Sequence, residues 1–263
     1  MRGLALLLLA ISLCSCSSSR TPIDLRSAEL VDLTWAFDER TIYWPSSPSA
    51  FEKKELAFGQ TAGGYFYSSF AFCTPEHGGT HLDAPIHFAA GGATSDHVAL
   101  RQLIAPAVVI DVSSQASADR DYRLSVADVE AWERVHGRIG NGTIVLLHTG
   151  WSRHWPDRKA YLGDDTPNVT INLHFPSYGA DAARVLVSER RVAALGVDAA
   201  SIDYGQSRDF MVHRIAAAAS IPGFENVTNL GALPARGAWV FALPMKIAGG
   251  SGGPLRIVAA IPR

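Results

Sequence analysis

Between His77 and His87 the chain sets three histidines and an aspartate into one short stretch, His77-Gly78-Gly79-Thr80-His81-Leu82-Asp83-Ala84-Pro85-Ile86-His87. Imidazoles and a carboxylate gathered this closely read as a site for a divalent metal ion. In an extended segment His81 and Asp83, two residues apart, point to one face. The Gly78-Gly79 pair permits a bend tight enough to bring His77 beside them. Pro85 disfavours helix at Ala84, so the connection from Asp83 to His87 stays extended or turned and His87 is held near the others.

The remainder is suited to a compact protein. With 48% apolar and 18% charged residues, the chain can bury a sizeable core and lacks the charge density of a disordered one. A net charge of −2, with no Lys/Arg run interleaved with aromatic residues, gives no electrostatic footprint for nucleic acid. The N-terminus is a separate object: Met1-Arg2 is a positive start, Leu4 to Leu13 a short apolar run, and Leu13-Cys14-Ser15-Cys16-Ser17 follows, the pattern of a secretory leader. The run is shorter than the roughly 20 apolar residues of a membrane span. It also resembles a bacterial lipoprotein signal, so two readings stand: a lipid anchor at Cys16, or ordinary cleavage and release. Residues 1–16 are assigned to the leader, 17–23 to a mobile stub, and 24–263 to a single domain. The expected location is the periplasm or a membrane anchor in a bacterium, and otherwise outside the cell. Beyond the leader only Cys73 remains; no intramolecular disulfide staples the fold, and Cys73 reads as a small buried apolar residue.

Leu30 to Phe37 and Tyr65 to Cys73 carry β-branched and aromatic residues at strand density. The second run alternates in period two toward His77, so the metal stretch hangs from a strand end. Ala107 to Val112 and Thr143 to Leu147 are continuous apolar runs of the buried-strand kind, with a helix between them over Val126 to His136, capped by Ser125. The same rhythm recurs as a helix over Ala180 to Arg191 and a strand over Val192 to Val197. A third helix covers Asp209 to Ala219, with Ser207 as N-cap, and Pro222-Gly223 ends it. Trp239 to Ile261 reads as two strands around Gly249-Gly250-Ser251-Gly252-Gly253-Pro254, which is either a tight turn or a flexible loop over the pocket.

His213 and Glu225 lie twelve residues apart, which on one unbroken helix is roughly 18 Å, too far to share an ion. The break at Pro222-Gly223 lets the chain fold back and present Glu225 from a loop. Trp44 in its proline-rich loop, Phe88 and Trp151 are either flat walls for an aryl group or plain core; Phe88 directly follows His87. Asp198 and Asp203 either orient ligands or serve as turn and cap residues. His97, His136, His148, His154 and His174 show no comparable clustering.

The His77 to His87 stretch resembles the H-x-G-T-H-x-D-x-P-x-H signature of the cyclase superfamily of metal-dependent hydrolases, which includes kynurenine formamidases and isatin hydrolases. Gly196 through Asp203, and His213 through Glu225-Asn226-Val227-Thr228-Asn229-Leu230, are similar to that family in order and spacing. The resemblance implies a single α/β domain of the swivelling β/β/α type, with a mixed sheet or barrel-like core and flanking helices. It implies that His77, His81 and Asp83 bind a first ion, that His213 and Glu225 complete a second position with Asp83 as bridge, and that His87 transfers protons. One or two ions per subunit follow, because formamidase-like members resemble two-metal enzymes while the isatin hydrolase branch is understood to use one manganese. The Ser201 to Ser207 and Pro244-Met245-Lys246 blocks look more like the latter branch. The resemblance also implies a homo-oligomer, with Asp24 to Trp44 as a segment exchanged between subunits.

A set of histidines and carboxylates without thiolate suits Mn2+ and Zn2+ alike. Such an ion lowers the pKa of a bound water to about 7 and polarises a carbonyl. His87, with an intrinsic pKa of about 6.5, is suited to carry the proton to a departing nitrogen. The expected function is a metal-dependent amidohydrolase acting on the C–N bond of a small aromatic amide. Opening of an isatin-like lactam is placed ahead of arylformamidase action on an N-formyl-L-kynurenine-like compound in tryptophan catabolism. A non-catalytic exported protein that captures metal or ligand is the competing class, and His87 separates the two, since binding alone needs no proton carrier. A purely structural ion is disfavoured, because closed structural sites commonly use cysteine.

Overall fold

The computed structural model describes residues 23–263, so the expected leader over 1–16 and all but the last residue of the stub lie outside the described residues. Its strands are β1 (Glu29–Asp32), β2 (Glu52–Gln60), β3 (Phe66–Cys73), β4 (His81–Asp83), β5 (Ile104–Asp111), β6 (Arg123–Leu124), β7 (Ile144–His148), β8 (Ser177–Tyr178), β9 (Ala194–Val197), β10 (Gly223–Glu225), β11 (Arg236–Pro244) and β12 (Gly252–Ile261). Seven of them close into a ring in the order β12-β11-β5-β7-β9-β10-β4 and back to β12, with β1 added along the far end of β12. β5, β7, β9 and β10 are mutually parallel, whereas β4, β11 and β12 pair antiparallel, so the barrel is mixed. No helix among the described residues is long and apolar enough to cross a membrane.

Parallel neighbours require crossovers, and these supply the flanking helices. Val126–His136 lies in the crossover from β5 to β7, its first turn fixed by reciprocal bonds: Asp128 N–H donates to Ser125 Oγ at 3.2 Å and Ser125 N–H to Asp128 Oδ2 at 2.8 Å. Strands covered on both faces read as unbroken apolar runs. Leu82, Val109, Leu146, Ala194, Phe224, Val240 and Ile257, one from each barrel strand, belong to a single cluster inside the ring. Val108, Ile110, Val145, Leu147, Leu195 and Val197 instead pack outward with Trp132, Tyr161, Phe175 and Leu186.

This inward and outward split places the metal stretch. Since Leu82 and Phe224 point into the ring, alternation turns His81, Asp83 and Glu225 to its outer face. Register then sets them together: Glu225 lies opposite His81 and Gly223 opposite Asp83, while Pro254 and Gly252 lie opposite the same two residues from the other side.

Several expectations are corrected. Glu225 comes from a strand and not a loop, because the chain re-enters the sheet directly after Pro222, with Phe224 filling the barrel. The strand over Leu30 to Phe37 is confined to β1. The Tyr65 to Cys73 run forms β3, but among the described residues it pairs only with β2, in a hairpin outside the barrel, and the metal stretch is reached through bends after it. Cys73 is exposed, not buried. The helix expected over Ala180 to Arg191 is Ala180–Arg184 continued by a π-helical turn, Val185–Glu189. In the helix Met211–Ala218 the N–H groups of Val212 and His213 donate to Asp203 Oδ1 and Oδ2, both at 3.0 Å, so Asp203 takes the capping place expected for Ser207.

Candidate metal centre

Gly78 and Gly79 carry the bend ahead of β4, with φ of +154° and +56°. A Cβ at Gly78 would stand 2.0 Å from the Tyr43 ring, and one at Gly79 2.6 Å from Phe37 Cζ; glycine is required here for space and for backbone conformation. The bend lays His77 against β4, its Nδ1 2.6 Å from Asp83 Oδ1. His81 Nε2 lies 3.2 Å from Asp83 Oδ1 and 3.5 Å from Glu225 Oε2. From the helix above, His213 brings Nε2 to 3.0 Å from Asp83 Oδ2 and 3.1 Å from Glu225 Oε1. The five residues expected as ligands therefore meet. Each carboxylate shows one oxygen to His81 and the other to His213.

The outer nitrogens of the two buried imidazoles are committed as donors. His81 Nδ1 lies 2.9 Å from the Gly79 carbonyl, which only accepts, so Nδ1 carries the hydrogen. His213 Nδ1 donates to Asp203 Oδ2 at 2.7 Å. Each Nε2 then aims a lone pair at two carboxylates unless positive charge lies between. Without a metal ion that charge is a proton. Burial opposes it, but the Asp83 carboxylate, with Glu225 and the Gly79 carbonyl, raises His81 to about 9. Burial opposes protonation of His213 too, and Asp203, Asp83 and Glu225 hold it well above the ordinary range. Asp83 is pushed up by burial yet is kept well below the usual carboxylate range by His81, His77 and His213.

A divalent cation answers the same demand through ligand types that zinc and manganese accept. Donor atoms of His81, Asp83 and Glu225 lie within 4.8 Å of one another, as do those of His77, Asp83 and His87. The residues present fit a metal ion.

His87 differs from His77, His81 and His213. Among the described residues no hydrogen bond holds its ring, which stacks on His77 at 3.9 Å between centroids and meets the edge of Phe88 at 4.6 Å. Desolvation by the surrounding side chains pushes it down to about 4, against the pull of Asp83 and with the help of the neighbouring histidines. Its opening to solvent screens part of that effect. At neutral pH His87 is an uncharged base facing the cavity.

These groups line one side of a cavity of about 270 Å³, at the small end for ligand pockets. Trp44 and Phe88 line it and Trp151 does not: the Trp151 indole is buried in the outer core, donating to the Tyr161 carbonyl at 2.8 Å. Phe210 stands where a third wall was expected, with ring centroids 6.2 Å from Trp44 and 5.5 Å from Phe88. Its φ of +49° is rare for an aromatic residue, and no sequence signal announces it. Asn226, also missed, donates to the Gly79 carbonyl at 2.8 Å and accepts from the Tyr161 hydroxyl at 3.0 Å, tying down the glycine bend. Asp203 is the His213 partner, whereas Asp198 accepts from Thr149 N–H and Oγ1 outside the cavity. None of His97, His136, His148, His154 and His174 lines the cavity. A larger cleft of about 590 Å³ beside Arg101, Arg191 and Trp239 contains none of the expected site residues.

The profile of the family described as putative cyclase matches residues 31–204. The isatin hydrolase of Roseibium aggregatum is 36% identical over 196 residues, which are 72% of this chain and 73% of that protein. The kynurenine formamidase of Salinibacter ruber is 27% identical over 229 residues, 87% of this chain and 96% of that one. Among solved structures, an isatin hydrolase bound to the product analogue thioisatinate superposes with a TM-score of 0.82 at 30% identity, covering 90% of this chain and 94% of the other.

Proposed function

Because the chain belongs to the putative cyclase family, we propose that it is a metal-dependent amidohydrolase that opens the lactam ring of an isatin-like substrate. The observation that carries this reading is the convergence of His81 and His213 on Asp83 and Glu225, and of His77 on Asp83, beside an aromatic-walled cavity, with a fourth imidazole, His87, that makes no hydrogen bond among the described residues. When bound, a divalent cation supplies an acidified water and a polarised carbonyl. The chain does the rest. Trp44, Phe88 and Phe210 hold the aryl ring and exclude bulk water. Asp203 and the Gly79 carbonyl fix the tautomers of His213 and His81. His87, neutral at pH 7, takes the proton of the attacking water and returns it to the departing nitrogen.

Manganese or zinc suits the donor set. One or two ions per subunit remain in this reading: a second ion sharing Asp83 would be held by His213 and Glu225, whereas an ion at His77, Asp83 and His87 would occupy the lone pair that proton transfer requires. The arylformamidase reading rests on the longer match to the kynurenine formamidase and uses the same machinery. We also retain an export leader over residues 1–16, with a lipid anchor at Cys16 as its stronger form, a stub over 17–23 and one hydrolase domain over 24–263. A homo-oligomer is supported by the hairpin β2–β3, whose Phe58, Phe66, Phe70 and Phe72 are exposed.

Protein loaded with Mn2+ or Zn2+ is expected to consume isatin, followed by its visible absorbance, faster than an N-formyl arylamine. Failure with isatin, aryl formamides and lactones in both metal forms would remove the enzyme reading.

A further inference from the structure

The third imidazole of the centre, His77, is served by a part of the chain that the mechanism above does not use: the glycine-rich turn between β11 and β12. Ser251 in that turn has every polar atom engaged. Its N–H and its hydroxyl both donate to Glu76 Oε2, at 2.9 and 2.6 Å. Its carbonyl accepts from Ala84 N–H at 2.9 Å, just beyond the end of β4. Its Oγ lies 2.9 Å from His77 Nε2.

The direction of these bonds follows from proton counting. The Glu76 carboxylate accepts, so the Ser251 hydroxyl gives it its only hydrogen. Ser251 Oγ then has only lone pairs to offer His77, so Nε2 carries the imidazole hydrogen. Nδ1, 2.6 Å from Asp83 Oδ1, is left as the nitrogen that faces the cation position.

The glycines on either side make this approach possible. A Cβ at Gly252 would stand 2.6 Å from His77 Cε1 and 2.5 Å from the Leu82 carbonyl. One at Gly250 would stand 2.7 Å from Glu76 Oε1 and 2.8 Å from Ser95 Oγ. The turn is a clamp whose two small positions let Ser251 reach the histidine.

We propose that Glu76 and Ser251 form a positioning pair that sets the tautomer and orientation of His77, presenting Nδ1 to the metal ion. The proposal rests on the reading of His77 as a ligand. It gives His77 what the Gly79 carbonyl gives His81 and Asp203 gives His213, a fixed acceptor on the nitrogen away from the ion. Partners of this kind typically contribute ten- to a hundredfold to metal affinity.

The test reads the tautomer directly, by nitrogen NMR of the histidine-labelled, Zn2+-loaded chain. His77 is expected to carry its hydrogen on Nε2, and a hydrogen on Nδ1 overturns the proposal. If no Zn2+ binds, the reading of His77 as a ligand fails and the proposal with it, whereas a loaded site with the hydrogen on Nδ1 fails the proposal alone. In Zn2+ competition titrations, Ser251→Ala is expected to weaken binding by roughly ten- to a hundredfold, and Ser251→Thr, which keeps the hydroxyl, to restore most of it. Equal weakening by both variants, or none by Ser251→Ala, overturns the assignment.

Discussion

The metal centre and the hairpin β2–β3 depart from ordinary burial in opposite directions. At the centre His81, Asp83, His213 and Glu225 are between 3% and 6% exposed, although buried ionisable groups are costly unless paired. On the hairpin Phe58, Phe66, Phe70 and Phe72 are between 41% and 63% exposed, although large apolar side chains ordinarily lie inside. The first departure is answered within the chain: each buried group has a partner of opposite charge or a hydrogen bond, and only the positive charge between the inner nitrogens is left to come from outside. The second is not answered within the described residues. A two-stranded hairpin standing alone is marginal in water, and exposed apolar patches of this kind are the ground on which a homo-oligomer is proposed. One region holds buried charge that a cation would balance; the other holds apolar surface left uncovered among the described residues.

The largest expected effect comes from breaking the first region. Asp83→Ala is expected to abolish metal uptake and turnover. It should also destabilise the metal-free fold by about 3 kcal/mol, because the imidazoles around it lose their counter-charge; metal analysis and denaturant unfolding check this. His87→Ala should separate chemistry from binding, lowering kcat by about 10²- to 10⁴-fold with metal content unchanged, and loss of metal would show that His87 is a ligand. The second region is broken by Phe58→Ser with Phe66→Ser, expected to shift the particle to a monomer in light scattering while metal affinity holds. A wild-type monomer would contradict that half of the comparison. The smallest effect is in pH. His81 is raised from 6.5 to about 9 in the folded metal-free chain, so its contribution to stability is full below about pH 6.5 and is lost as pH rises through about 9. The melting temperature of metal-free protein should fall over that interval, and Mn2+ should abolish the fall.

What the sequence disclosed divides along similar lines. His77, His81, Asp83 and His87 were legible because their geometry is local, set by a two-residue strand repeat and a glycine bend. The helix Val126–His136 was legible because its capping box lies within four consecutive residues. Glu225 reads as a loop residue because it follows the Pro222-Gly223 break; β10 is only three residues long, and its strand character arises from β4 and β9 on either side. Trp151 stays ambiguous in the sequence and Phe210 is silent there for a related reason: an aromatic side chain has the same pattern whether it fills a core or walls a cavity. Only the tertiary fold decides which way it faces. The hairpin strand was recognised as a strand but not as one outside the barrel, since alternation records pairing and not what covers the sheet.

The most direct measurement is calorimetric titration of metal-free protein with Mn2+ in buffers of different ionisation enthalpy, near neutral pH. Saturable binding accompanied by release of protons is expected, because the ion replaces the protons shared between His81, His213 and the carboxylates Asp83 and Glu225. Binding without proton release, or no binding at all, would contradict this.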